Sequence, residues 1–319
     1  MIARMQRAFV FLSLVAALTW YLVLSHLGYV PGAILGAAVV LLSFPILLAF
    51  EFVLLGLHGC SRTVQKPSPI ELLAALGHEV ITAPVVFCWR QPFRSNAVPD
   101  LLSSGAPGRR GVLLVHGLFC NRGFWHPWLK VLRERRIPYV AVTLEPPFDS
   151  IERYANTLEA AVRTLTEHTG LSPVVVAHSM GGLAVRQWLT TVREDSLPVH
   201  RTFTIGSPHQ GTWMARFSRT TNGRQMRQGS EWLTDLRSRE GRDVHQHFVC
   251  YFSNCDNIVF PAECATLPQA ENRLLTGRPH VAMAFDPVIR DAVLKELEMT
   301  STDIGVRAGR LSAPARTDD

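Results

Sequence analysis

A strand, a sharp turn and the start of a helix are predicted within one short stretch of the sequence, Val174-Val175-Val176-Ala177-His178-Ser179-Met180-Gly181-Gly182. Its β-branched run predicts a strand, and a helical pattern begins at Gly181. Ser179 lies at the turn, where small neighbours allow the strand and the helix to approach closely. Ala177 stands where the G-x-S-x-G pattern has its first glycine, and Gly181 is the second. This context predicts a nucleophilic Ser179; the alternative is a serine that only caps the helix.

Short apolar strands alternate with amphipathic helices on both sides of this turn. The predicted strands cover residues 112–115, 139–144, 174–177, 202–205 and 247–252, and the predicted helices cover residues 125–135, 151–168, 181–193 and 287–298. This alternation predicts βαβ units, and the apolar strands indicate a sheet buried on both faces. A further helix is predicted from the capping box at 68–71, followed by a strand at 85–89. The predicted fold class is α/β, with a mostly parallel sheet and helices on both faces.

The strand at 112–115 runs into His116-Gly117-Leu118. A loop in this position can direct a backbone N–H at the oxyanion that develops when a carbonyl carbon is attacked. We therefore predict two oxyanion donors, the N–H of Leu118 and the N–H of Met180, the residue after the nucleophile. His116 is interpreted as a residue that orders the loop.

The general base and its partner are predicted from their order in the chain. In this strand-turn-helix context the acid follows the serine and the histidine follows the acid. Among the histidines after Ser179, His280 is the one that also follows an acid at a strand end, Asp256. A carboxylate there can accept a hydrogen bond from the imidazole Nδ1–H and hold its tautomer. Asp243 and Glu263 are the alternative acids.

The segment at about 211–244 interrupts the alternation of strands and helices, and we interpret it as a cap-like insertion over the sheet edge. Its large apolar residues either line an acyl pocket or anchor the insertion: Trp213, Met214, Phe217 and Trp232. His209, which precedes the segment, is interpreted as a loop-positioning residue. No His, Cys, Asp or Glu cluster has the spacing of a metal site, so neither a catalytic metal nor another cofactor is expected.

The N-terminal region is predicted to be a membrane anchor. Nothing from Ala8 to Phe50 carries a formal charge, and only His26 could titrate there. Two apolar runs, at 8–24 and 31–50, are each long enough to cross about 30 Å of hydrocarbon as a helix. We therefore predict two transmembrane helices; a cleaved signal peptide is the alternative, but no A-x-A site closes the first run.

The basic residues around this region predict its orientation. Arg4 and Arg7 precede the first apolar run, Arg62 and Lys66 follow the second, and the turn between the runs has neither Lys nor Arg. Basic residues favour the cytoplasmic side, so both ends of the hairpin and the catalytic domain are expected there. A periplasmic domain is the alternative.

Composition narrows the function classes and the domain division. The chain has 319 residues, a hydrophobic fraction of 47% and a formal net charge of +6, which together exclude general disorder. The positive charge is not organised into a basic run or a nucleic-acid module, so no nucleic-acid partner is expected. The cysteines form no CxxC pair and predict neither a zinc ribbon nor a disulfide framework. We divide the chain into an anchor at 1–57, a catalytic domain at 58–300 and a disordered tail at 301–319.

The segment from about 111 to 298 resembles the bacterial lipase and esterase branch of the α/β-hydrolases. Several phrases carry the resemblance together: His116-Gly117-Leu118, Ala177-His178-Ser179-Met180-Gly181-Gly182, Ile205-Gly206-Ser207-Pro208-His209-Gln210-Gly211-Thr212, Gly229-Ser230-Glu231-Trp232-Leu233, Asp256-Asn257-Ile258-Val259 and Pro279-His280. The resemblance implies the α/β-hydrolase fold, with Ser179 as nucleophile, His280 as base and Asp256 as its orienting acid. It also implies oxyanion donors at Leu118 and Met180. The two membrane helices depart from the usual secreted lipase of this branch.

These observations predict a membrane-anchored serine hydrolase that cleaves acyl esters through a Ser-Asp-His triad and an acyl-enzyme. The resemblance to bacterial lipases implies that the membrane is the bacterial inner membrane. The expected partners are an acyl ester or lipid substrate and the lipid bilayer. A thioesterase or an acyltransferase would use the same residues, and a non-catalytic hydrolase-like membrane adaptor is the alternative from another class. The sequence predicts no oligomeric state.

Overall fold

A computed structural model describes residues 1–102, 108–192, 197–241 and 243–298. Within these ranges a six-stranded sheet has the strand order β2-β1-β3-β4-β5-β6, and every neighbouring pair is parallel. The strands are β1 (Val112–Val115), β2 (Tyr139–Ala141), β3 (Val174–His178), β4 (Arg201–Ile205), β5 (Phe248–Phe252) and β6 (Glu271–Leu274). The parallel sheet and its helices confirm the predicted α/β fold.

The helices of the described residues begin with four at the N-terminal end, α1 (Ile2–His26), α2 (Val30–Leu41), α3 (Ser43–His58) and α4 (Pro69–Pro84). A π-helical turn (Val85–Arg90) and α5 (Gln91–Arg94) continue α4. The remaining helices are α6 (His126–Glu134), α7 (Ala155–Thr169), α8 (Met180–Leu189), α9 (Thr221–Gln225), α10 (Glu231–Arg239), α11 (His280–Met283) and α12 (Pro287–Glu298).

Both faces of the sheet are covered, as the apolar strands predict. Val112 and Leu114 of β1 pack into a cluster that includes α6 and α12, while Leu113 and Val115 pack into a cluster that includes α7 and α8. Successive side chains of a strand point to opposite faces, so a strand between two helical layers must be apolar at every position. This arrangement leaves the ends of the strands open for the loops that form the site.

One predicted strand is wrong, and one observed strand was not predicted. The strand predicted at 85–89 is wrong, because Val85–Arg90 forms the π-helical turn that extends α4. Val86 faces the core and Trp89 faces outward, so both sides of this helical turn carry apolar residues. A continuous apolar run of this length is also typical of a buried strand. The edge strand β6 was not predicted, because Glu271–Leu274 is polar and alternates between half-buried and exposed residues.

The N-terminal helices are strongly apolar. Two helical segments of the described chain, Ile2–His26 and Pro69–Arg94, are long and apolar enough to cross a membrane. The second predicted span is instead a pair, α2 and α3, bent by 63°. Pro45 lies in the first turn of α3 and has no N–H for the carbonyl of Leu41, so a straight helix cannot continue there.

Helices α1 and α2 form a tight hairpin. Trp20 of α1 donates its indole N–H to the carbonyl oxygen of Gly32, at 3.2 Å. Its ring also lies against Gly36, where a Cβ atom would be 1.8 Å from the Trp20 nitrogen. A larger residue at position 36 would therefore displace the Trp20 ring from this position.

Helix α3 packs against the rest of the chain. Leu48 is buried in the cluster on the α6 and α12 face of the sheet. Phe52 and Leu55 are buried with Phe260, which follows β5, and with Ala75 of α4. The division into an anchor at 1–57 and a catalytic domain at 58–300 is a proposal. Side chains of α3, on the anchor side of this boundary, pack against residues of the catalytic domain.

The predicted insertion at about 211–244 contains α9, α10 and a 3-10 turn at Trp213–Phe217. Leu233 and Leu236 of α10 are buried in the cluster of α7 and α8. The tail predicted to be disordered, 301–319, lies outside the described residues.

Candidate active site

Ser179 occupies the turn between β3 and α8. Its backbone has φ +56° and ψ −130°, a conformation that a residue with a side chain rarely adopts. Such strain persists only where the surroundings hold it, and here the Ser179 N–H donates to the carbonyl oxygen of Ile205 at 2.9 Å. At Gly181 a Cβ atom would lie 2.7 Å from the carbonyl oxygen of Val115, so the close approach predicted for this turn requires glycine. The side chain of Ser179 is positioned at the start of the helix.

The loop after β1 runs directly against Ser179. A Cβ atom at Gly117 would lie 2.7 Å from the Ser179 Cβ, so only glycine allows this approach. Among the described residues, the N–H groups of Leu118 and Met180 have no hydrogen-bond acceptor. The first N–H groups of a helix lack an intrahelical partner, which explains the free N–H of Met180. Both predicted oxyanion donors are therefore available to an external oxygen.

His280 and Asp256 are in direct contact. The Nδ1 atom of His280 lies 2.9 Å from Oδ1 and 3.0 Å from Oδ2 of Asp256, and both side chains are buried. Oδ1 also accepts hydrogen bonds from the N–H groups of Ile258 and Val259, at 2.9 and 2.7 Å. The carboxylate is thus fixed by its own loop and faces the imidazole.

The alternative acids lie elsewhere. Asp243 accepts a hydrogen bond from Gln246 at 2.8 Å in an exposed turn. Glu263 accepts from the N–H of Arg62 at 3.3 Å. Neither contacts His280.

The environment of His280 favours its charged form. Burial lowers the pKa of His280, but the negative charge of Asp256, its hydrogen bond and the neighbouring carboxylates together outweigh burial and raise the pKa above its ordinary value. The charges of Glu79 and Glu51 act in the same direction. The imidazole is therefore a stronger base than an isolated histidine.

Neighbouring histidines have structural contacts instead. His178 lies 3.0 Å, through Nε2, from the carbonyl oxygen of His280, and burial lowers its pKa well below the ordinary value. The neutral ring therefore donates this hydrogen bond. His116 accepts from the N–H of Leu144 at Nε2 (3.0 Å) and donates from Nδ1 to Gly117 (2.9 Å), while burial lowers its pKa to about 4. Both histidines hold loops of the site in position.

Helices α3 and α4 also support the His280 loop, through acidic residues that were not predicted from the sequence. Glu79 of α4 accepts hydrogen bonds from the N–H groups of Val281 and Ala282, at 2.8 and 3.1 Å. Glu51 of α3 accepts from Asn257 Nδ2 at 2.7 Å. An acid inside an apolar helix is unfavourable without a partner, so the isolated Glu51 was a signal that could have been used.

Ser179 and His280 line one cavity of about 560 Å³. Within the described residues no hydrogen bond joins the two side chains. The four large apolar residues of the insertion lie elsewhere: none of them is among the described residues that line this cavity. Trp213 stacks on His58 at 4.1 Å between ring centroids, and Trp232 donates to Glu152. Their contacts correspond to anchoring rather than to an acyl pocket.

The remaining residues of interest have local roles. His209 lies 3.0 Å, through Nε2, from the hydroxyl of Thr204, and its carbonyl oxygen accepts from Arg186. In the described part of the chain, no group of three or more His, Cys, Asp or Glu residues could hold a metal ion.

The sequence model described as "Alpha/beta hydrolase family" matches residues 112–301, which is more than half of the chain. The chain belongs to the α/β-hydrolase family. Among solved structures, the mature lipase BlEst2 of Bacillus licheniformis superimposes with a TM-score of 0.54 at 16% identity, over 63% of this chain and 96% of that chain. Its propeptide form gives a TM-score of 0.51 at 17% identity, over 63% and 53% of the two chains. At these identities the likeness shows the fold alone.

No curated protein sequence matches this α/β-hydrolase. The family match begins at Val112, so helices α1 to α4 precede the part of the chain that the family shares.

Proposed function

We propose that this α/β-hydrolase is a membrane-anchored serine hydrolase that cleaves acyl esters. The observation that carries the proposal is the buried His280–Asp256 pair, of which His280 lines one cavity together with Ser179 and Leu118. The N–H groups of Leu118 and Met180 have no partner within the described residues. Nucleophile, base, orienting acid and oxyanion donors are the complete set that acyl transfer requires.

The chemical steps follow from this arrangement. Ser179 Oγ attacks the ester carbonyl carbon while His280 Nε2 accepts the hydroxyl proton, and the carbonyl oxygen becomes an oxyanion that accepts from Leu118 and Met180. His280 then donates the proton to the leaving alcohol, and an acyl-Ser179 ester remains. Water, deprotonated by His280, attacks this ester; as the acid is released, His280 returns the proton to the Ser179 Oγ atom. The Ser179–His280 hydrogen bond is expected to form when substrate binds, as is common for catalytic hydrogen bonds.

The class of substrate is inferred from the cavity and from the relatives. The cavity is lined mainly by apolar side chains, and a long hydrocarbon chain is the part of a lipid ester that such a surface would bind. The structural neighbours described as lipases support an ester substrate. We therefore propose an acyl ester with a hydrocarbon chain, with water as the acceptor.

Labelling with a fluorophosphonate probe tests the proposal. The activated serine should react covalently, and the label should map to Ser179 and disappear in Ser179→Ala. A folded protein that the probe does not label at Ser179 would contradict the hydrolase and favour a non-catalytic adaptor.

The pKa of His280 predicts the pH dependence. The base must be neutral to accept the Ser179 proton, so kcat/KM should fall as pH decreases through the pKa of His280. Because that pKa is raised, the acidic limb should have its midpoint above 6.5. In Asp256→Asn the lost negative charge should move the midpoint to lower pH. A wild-type midpoint below 6.5, measured as kcat/KM for a soluble ester, would contradict this prediction.

We also propose that α1 and the bent pair α2 and α3 anchor the protein with its catalytic domain on the cytoplasmic side. The positive-inside rule supports this orientation, because Arg4 and Arg7 lie in the first turns of α1 and Arg62 and Lys66 follow α3. Fluorescent-protein reporters fused after Gly105 should fluoresce, whereas alkaline phosphatase fused after Gly28, in the turn, should be active. The opposite pattern would reverse the orientation without affecting the proposed chemistry.

A further inference from the structure

The cavity at Ser179 is walled in part by the N-terminal helices, which precede the family-matched region. Helix α1 contributes Met5, Gln6 and Phe9, and helix α3 contributes Phe44, Leu47 and Leu48. Ser179, His280 and two residues of the loop after β1, Leu118 and Phe119, line the same cavity. The helices expected to act as an anchor are therefore part of the surface that a substrate would contact.

Two hydrogen-bond connections join these helices to the proposed catalytic loops. Gln6 of α1 donates from Nε2 to the carbonyl oxygen of Phe119 at 3.1 Å. Phe119 follows the proposed oxyanion donor Leu118 and has φ +59°, so its strained backbone is held by a residue of α1. A contact between a helix and an oxyanion loop can fix the direction of a donor N–H.

The second connection runs from α3. Glu51 accepts a hydrogen bond from Asn257 Nδ2 at 2.7 Å, and Asn257 Oδ1 accepts from the N–H of His280 at 3.1 Å. Asn257 therefore bridges α3 and the proposed base. Displacing α3 would release both the cavity wall and one support of His280.

The mouth of the cavity opens among side chains suited to hydrocarbon. Phe9 is 54% exposed and Leu47 is 50% exposed, although both line the cavity. The neighbouring outward residues Leu12 and Ile46 are exposed and apolar as well. Apolar surface of this kind is expected to lie in lipid rather than in water. The cavity therefore leads from the bilayer-facing surface to Ser179.

We propose that α1 and α3 form the acyl-chain wall of the active site, and that the hydrocarbon chain of a membrane lipid ester enters between Phe9 and Leu47 directly from the bilayer. This inference rests on the proposed hydrolase function and names the substrate class of that site. The ester carbonyl lies at Ser179, and the chain extends along the two helices toward the lipid. A short water-soluble ester fills only the inner end of the cavity.

Matched tryptophan substitutions on one helix test the wall, using the full-length protein in detergent micelles. Leu47→Trp places a large ring at the mouth, whereas Ile46→Trp places the same ring on the neighbouring outward position, which is 52% exposed and does not line the cavity. The ratio of kcat/KM for p-nitrophenyl palmitate to that for p-nitrophenyl acetate should fall about tenfold or more in Leu47→Trp, since room for several methylenes is lost. In Ile46→Trp the ratio should stay at the wild-type value. A kcat/KM ratio that falls equally in both variants, or in neither, would overturn the proposal.

Photocrosslinking tests the same wall without catalysis. Palmitic acid with a diazirine on its chain, added to full-length Ser179→Ala, should label peptides that contain Phe9 or Leu47, and Leu47→Trp should remove the label. Labelling confined to other peptides would overturn the wall even if ester hydrolysis is intact. If the wild-type protein hydrolyses no ester but Ser179→Ala carries this label, the proposed hydrolase function is contradicted and the acyl-chain wall is supported.

Discussion

Replacing Ser179 with alanine should lower kcat for p-nitrophenyl ester hydrolysis by on the order of 10⁶, the effect of removing the nucleophile from comparable triads. No other hydroxyl is expected to reach a carbonyl carbon bound at the N–H groups of Leu118 and Met180. His280→Ala should lower kcat by a similar factor, because the two residues act in one step. The double variant should therefore be no slower than either single variant.

The matched control is Ser207→Ala. Ser207 is also buried, and its hydroxyl has no hydrogen-bond partner within the described residues. Its loss should leave kcat close to the wild-type value. Thermal unfolding should show that the variants are folded, because the Ser179 side chain contributes little to packing. A folded Ser179→Ala protein with near wild-type kcat would remove Ser179 from the proposed mechanism.

The sheet and the nucleophile turn could be predicted because their signals are local. The run of valines before Ala177 and the glycines after Ser179 specify a buried strand, a tight turn and a helix within a few residues. The π-helical turn at Val85–Arg90 could not be predicted in this way. Its apolar residues lie in a helix that has one face in the core and one face exposed. A short apolar run of this kind has the same composition in a helix and in a buried strand.

The residues of the proposed triad could be predicted from their order along the chain, whereas the residues that support them, Glu51 and Glu79, could not. His280 and Asp256 follow the serine in the expected sequence, and the structure brings these two side chains into contact. Glu51 contacts Asn257 from 206 residues away, and Glu79 contacts Val281 from 202 residues away. No local pattern specifies such long-range pairs, because they depend on how the N-terminal helices pack on the sheet.

Hydropathy also does not predict that the N-terminal helices line the cavity at Ser179. A charge-free stretch predicts length and lipid contact, but it contains no information about which side of the helix meets the hydrolase domain. Pro45 is tolerated in the first turn of a helix, so the bend between α2 and α3 was not evident from the residue alone. The bend is accompanied by the packing of α3 beside the His280 loop, where Leu48 and Glu51 line the cavity.

Replacing Asp256 with asparagine should lower kcat by about 10⁴, because the imidazole would adopt the wrong tautomer. Oδ1 of Asp256 accepts from the N–H groups of Ile258 and Val259, so the amide oxygen of an asparagine must occupy that position. The amide NH₂ then takes the position of Oδ2, which lies 3.0 Å from His280 Nδ1. Because an NH₂ group donates, it favours the tautomer in which Nδ1 accepts and the ring proton lies on Nε2, in competition with the amide oxygen at the Oδ1 position, 2.9 Å from Nδ1. A protonated Nε2 cannot accept the proton of Ser179, although every atom keeps its place.

A comparison of two substitutions at Asp256 separates a tautomer effect from a loss of structure. Asp256→Asn should unfold near the wild-type temperature, because both loop hydrogen bonds survive, while Asp256→Ala should lose those hydrogen bonds and unfold earlier. Asp243→Asn is the matched control, since that carboxylate bonds only to Gln246 among the described residues of its exposed turn, and its kcat should be unchanged. If Asp243→Asn or Glu263→Gln lowers kcat more than Asp256→Asn, another acid orients the base. If Asp256→Asn keeps wild-type kcat, the Nδ1 proton is held by something other than this carboxylate, and the tautomer argument fails.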